Sequence, residues 1–96
     1  MPLPELSHLQ YLALALIDTA GEIEAQDLQA QLITHGGDRS GPAFYMFMAR
    51  LKEAEFINQG QESRDRTRIA IYKLTAAGRK AMKANERFYK TTKGAK

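Results

Sequence analysis

A mostly helical α+β domain is the fold class this sequence predicts, on three observations. Helical apolar spacing recurs three times before residue 55, a pair of β-rich segments then flanks the charged turn ESRDR, and TAAG opens one more helix. Ninety-six residues support one hydrophobic core, so the elements belong to a single domain over residues 1–90. Its last helix, from about residue 75, is expected to serve dimerisation, and 91–96 reads as a flexible basic tail.

Ser7 is placed to cap a first helix over residues 7–20, after Pro2 and Pro4 have kept the leader extended. Leu9, Leu12, Ala13 and Leu16 make one stripe on it, and Tyr11, Leu14 and Ala15 a second. That is more apolar surface than one small core uses, so Tyr11 and Leu14 are expected at a subunit interface. Gly21 ends the helix, and residues 22–24 are long enough only for a minor strand. The second helix spans 25–35 with Leu28, Leu32 and Ile33 inward, and Gly36 and Gly37 stop it.

Ser40 caps the third helix, which runs to about residue 54 with Pro42 tolerated in its first turn. Phe44, Phe47, Met48, Leu51 and Ala54 fall on the core stripe, which leaves Ala43, Tyr45, Met46, Ala49, Arg50 and Lys52 for solvent or a ligand. Strands follow at 56–61 and 66–74, the second rich in β-branched residues. Thr75 caps a helix from 76 to about 89, with Ala77, Ala81, Met82, Phe88 and Tyr89 on one stripe. Nothing later in the chain covers Met82, Phe88 and Tyr89, so they join the expected interface. This order of elements is that of a winged helix-turn-helix: three helices, a two-stranded wing and a C-terminal helix.

Charge is distributed unevenly along the chain. Residues 1–38 hold six acids and no Lys or Arg, whereas residues 39–96 hold 14 basic residues and five acids, within a chain of net charge +3. Clustered positive charge makes a local field that favours a polyanionic partner. The major groove of duplex DNA admits a helix, and residues near its N-terminal end reach base edges. Ser40, Gly41, Ala43, Tyr45, Met46 and Arg50 fit that placement, against the plainer view of Tyr45 and Met46 as surface filler and Arg50 as a solvated charge. Arg64, Arg66 and Arg68 alternate, and the period of two puts them on one face of the hairpin end, suited to the DNA backbone or minor groove. The simpler account is a tip charged for solubility. The basic series of the last helix, Arg79, Lys80, Lys83, Arg87, Lys90 and Lys93, reads as a solvated face.

Other chemistries find little support. The absence of cysteine excludes disulfides, thiolate nucleophiles and cysteine-based zinc sites, and cytoplasmic residence is the default expectation. His8 and His35 have no metal-ligand spacing, Gly36, Gly37 and Asp38 lack the Lys-Ser/Thr of a phosphate loop, and Glu53 and Glu55 do not pair on one helix face. No catalytic residue, metal or cofactor is expected. The uncharged run 6–17 is too short and too polar for a membrane span, and it lacks the preceding Lys or Arg of a signal segment.

The residues from Ser40 to Met82 resemble the PadR-type winged-helix transcriptional regulators. In that family the third helix opens with a Ser-Gly-Thr-Leu-Tyr-like run, continues to an Arg-Leu pair and ends in a Gly-Leu-Ile/Val step; Ser40, Gly41, Phe44, Tyr45, Arg50, Leu51, Phe56 and Ile57 answer to it. The returning strand of the family reads Arg-x-x-Tyr-Tyr-x-Leu-Thr-x-x-Gly, matched here by Arg68, Tyr72, Leu74, Thr75 and Gly78. Glu55 stands where the family carries Gly. MarR-like regulators share the Leu-Thr-x-x-Gly ending. The resemblance implies a homodimeric, sequence-specific double-stranded DNA-binding regulator, expected to be a repressor, with no enzymatic activity; whether a small-molecule effector exists is left open. Two other classes fit the same residues: a winged-helix protein-interaction module, and a small RNA-binding or ribosome-associated protein.

Overall fold

Ser7 starts the first helix through a reciprocal capping box: its hydroxyl accepts from the Gln10 amide at 3.1 Å, and the Gln10 side chain accepts from the Ser7 amide at 2.9 Å. Helix α1 then runs His8–Ala20 and stops at Gly21, whose φ of 82° suits glycine. The structure, a computed structural model, describes residues 6–37 and 41–94, with 87, 88 and 90–94 described as backbone alone. The order continues as β1 Glu22–Glu24, α2 Ala25–Thr34, α3 Gly41–Glu53, β2 Ile57–Arg64, β3 Thr67–Leu74 and α4 Ala76–Gly94. The fold is thus the expected winged helix-turn-helix, and the three-residue segment at Ile23 is a genuine strand.

The sheet is antiparallel in the order β1-β3-β2. Its buried face carries Ile57 and Tyr72, and Ile23 of β1 lies opposite Tyr72. These meet Ala13, Leu14 and Ile17 of α1, Leu28 and Leu32 of α2, Phe44, Met48 and Leu51 of α3, and Ala81 and Met82 of α4 in one cluster.

The junction between α3, the wing and α4 is closely packed. Glu55 turns the backbone at φ 64°, Phe56 N donates to the Leu51 carbonyl, and the Thr75 hydroxyl donates to the Glu55 carbonyl at 2.6 Å. The same hydroxyl accepts from the Gly78 amide at 2.9 Å and so caps α4. Gly78 is required by space: a Cβ there would stand 1.9 Å from the Phe56 carbonyl oxygen.

Three expectations are corrected. Tyr11, Leu14 and Met82, expected at a subunit interface, are buried inside the subunit, because α1 and α4 pack on each other and cover them, Leu14 completely. Tyr89 also turns inward: its ring stacks on Tyr11 and on His8, each at 5.1 Å between centroids, and its hydroxyl donates to the Leu6 carbonyl. The side chain of Phe88 lies outside the described residues. Finally, α4 continues to Gly94 and takes in most of the segment assigned to a basic tail, since no Pro or Gly interrupts it after Gly78.

Candidate nucleic-acid interface

Helix α3 presents its outer face because its inner one is fixed by Phe44, Met48 and Leu51. Tyr45 and Met46 project from it with 63% and 61% of their surface exposed, the large apolar side chains that stand out from an otherwise apolar-in pattern. Gly41 opens the helix and Ala43 is half-buried beside it. Arg50 is exposed. Lys52, seven residues on from Tyr45, shares its side of the helix and belongs to the same surface. Ser40 lies outside the described residues.

The wing differs from the sequence expectation in a way that matters for charge. Arg64 pairs with Thr67, which leaves only Asp65 and Arg66 in the turn, at φ 50° and 66°. Two successive positive φ values make a type I′ turn, whose twist matches the strands and lets the ladder run to the tip. Arg66 therefore sits in the turn and not on a strand. Opposed residues share a face, so Arg64 and Thr67 lie on one side and Ser63 and Arg68 on the other. The three arginines do not form a single row.

Arg64 occupies the outer side, where it donates to Glu24 at 3.0 Å and to Glu62 at 3.2 Å. Those two hydrogen bonds, with the attraction of both carboxylates, raise its pKa above the ordinary arginine value. Its charge is compensated in place. Arg68 occupies the inner side, where it and Tyr45 line a groove of about 420 Å³ between α3 and the wing. Arg50, Lys52, Arg66 and Arg68 make no ion pair with any described residue, which leaves their charge for a partner.

Elsewhere the two oppositely charged halves of the sequence meet each other. Arg79 of α4 pairs with Asp18 of α1 at 3.1 Å, and Lys73 approaches Glu22 at 3.9 Å. Tyr72, buried behind Tyr45, has its phenol pKa pushed up, first by burial and then by the neighbouring Tyr45. Among the described residues no cluster of His, Asp or Glu is arranged to hold a metal ion, and no helix is long and apolar enough to cross a membrane.

The fold is that of the winged-helix regulators. A PadR family transcription regulator from hypervirulent Clostridium difficile superposes with a TM-score of 0.75 at 12% identity, over 93% of this chain and 94% of that one. A PadR-like transcriptional regulator from Bacillus cereus gives 0.73 at 17% identity, over 91% and 85%. A mutant MarR from E. coli complexed with operator DNA gives 0.71 at 18% identity, over 86% of this chain but only 55% of that chain, so the protein spans about half of MarR. No protein-family model and no curated protein sequence matches the chain.

Proposed function

We propose that this protein is a sequence-specific double-stranded DNA-binding transcriptional regulator that acts as a homodimeric repressor, by binding and not by catalysis. One observation carries the proposal: Tyr45 of α3 and Arg68 of the wing line one groove, and Arg68 makes no ion pair with any described residue. In this reading α3 enters the major groove through Tyr45, Met46 and Arg50, with Gly41, Ala43 and Ser40 at its leading end. Arg66 and Arg68 hold the flanking backbone. Arg64 is reassigned from DNA contact to bracing the wing against Glu24. That a MarR of similar fold is complexed with operator DNA supports the DNA-binding reading.

Pairing of two copies suits a palindromic site, which needs two recognition helices at a fixed spacing. The surface proposed for it is the half-buried row Leu9, Leu12 and Leu16 on α1. Fluorescence anisotropy with random-sequence duplex DNA across a salt series tests the DNA binding on which the proposal rests. Affinity should fall steeply with salt, because cations on the protein displace counterions from phosphates. Salt-independent binding, or none, favours the second reading, a protein-interaction module, to which the exposed Tyr45 and Met46 are equally suited.

A further inference from the structure

The inner face of β2 carries a polar ladder. Gln59 lies opposite Tyr72, Gln61 opposite Ala70 and Ser63 opposite Arg68, so all three side chains share one face of the hairpin with Arg68. All three are exposed, and none makes a side-chain hydrogen bond with a described residue. Their two-residue step spaces them by about 6.6–6.8 Å. That is close to the separation of successive phosphates along one nucleic-acid strand. Gln59 and Gln61 also line the groove whose opposite wall includes Tyr45, and Gln26 in the first turn of α2 joins them there. No carboxylate among the described residues lines this groove.

We propose that Gln59, Gln61 and Ser63 form a neutral hydrogen-bonding ladder that holds the sugar-phosphate backbone of one DNA strand between α3 and the wing. The proposal rests on the DNA-binding reading above. Amide and hydroxyl donors bond phosphate oxygens without displacing counterions, and they respond to spacing where a lysine cluster responds to charge alone. Contacts of this kind fix the position of the duplex and carry no sequence information. The outer side of the same strand bears Glu62 and the compensated Arg64, which disfavour a phosphate and direct the strand inward.

The test uses the whole protein, random-sequence duplex DNA and a duplex selected from a random pool. Gln59→Ala and Gln61→Ala should each weaken binding to both duplexes about three- to tenfold, the range expected for one lost hydrogen bond. The slope of log affinity against log salt should not change. Gln61→Glu, of equal size, should weaken binding further by facing a carboxylate to phosphate. Arg68→Ala is the reference, expected to flatten the slope by about one unit. Unaltered affinity in both alanine variants beside a flattened slope in Arg68→Ala overturns the ladder and leaves the DNA reading intact. Losses confined to the selected duplex also overturn it, since they would assign the glutamines to base edges. No binding of random duplex by the unaltered protein removes both.

Discussion

Glu55 shows what one residue contributes when the fold demands a conformation its type resists. At φ 64° a side chain with a Cβ is strained by about 1–2 kcal/mol, and glycine is not. Glycine is more flexible when unfolded, which returns about 0.4–1 kcal/mol of that. Glu55→Gly should therefore stabilise the protein by about 0.5–1 kcal/mol, read as a higher urea midpoint. The hydrogen bond from Thr75 survives, because it ends on the backbone carbonyl. Gly78→Ala should do the opposite and cost about 2 kcal/mol or more, since its Cβ has no space beside Phe56. Tyr72 gives a pH signature. Its folded pKa lies above the unfolded value of 10.0, so its contribution is intact below that pH. As pH rises further the unfolded chain ionises first and stability falls. Urea midpoints compared at about pH 9 and about pH 11 should show the loss, and Tyr72→Phe should reduce it.

The wing shows how far an element is legible before its turn is known. Strand composition in 66–74, the cap at Thr75 and the glycine at 78 were all readable, because each depends on local chemistry. Faces were not readable. They depend on register, and the register follows from a type I′ turn made by Asp65 and Arg66 where Asn-Gly would signal it. One residue of misplacement exchanges inside for outside, and so a presumed row of three arginines divides into a brace, a tip and an inner contact. The division predicts unequal salt effects. Arg68→Ala should flatten the salt dependence of DNA binding by about one unit, whereas Arg64→Ala should barely change that slope. Arg64→Ala should instead make the wing amides exchange faster with deuterium, because it releases the hairpin from Glu24 of β1. Equal slopes for both variants would return Arg64 to the DNA surface.

At the scale of the whole molecule, segregated charge and surplus apolar surface were visible in the sequence, but their destinations were not. Among the described residues three ion pairs join the acidic N-terminal half to the basic remainder, so part of the asymmetry cancels within the fold. Likewise α4 returns to α1, so the apolar stripe of each covers the other: Asn85 fixes the Leu6 amide at 3.2 Å, and Tyr89 fixes the Leu6 carbonyl. A stripe read from periodicity cannot tell a neighbouring helix from a second subunit, since both remove the same area from water. Met82 and Leu12 now separate the two cases. Met82 is inside the core, and Met82→Ala should cost about 2–5 kcal/mol of stability. Leu12 is only partly buried and lies on the row proposed for pairing. A lysine there reaches solvent in a monomer but is trapped between two copies in a dimer. Leu12→Lys should therefore keep the helical circular dichroism spectrum while shifting sedimentation at micromolar concentration from dimer to monomer. It should weaken binding to a palindromic duplex far more than to a single half-site, because only the former gains from two linked recognition helices. An unaltered protein that sediments as a monomer while binding the palindrome at full affinity would remove the pairing surface and the paired-site mechanism together.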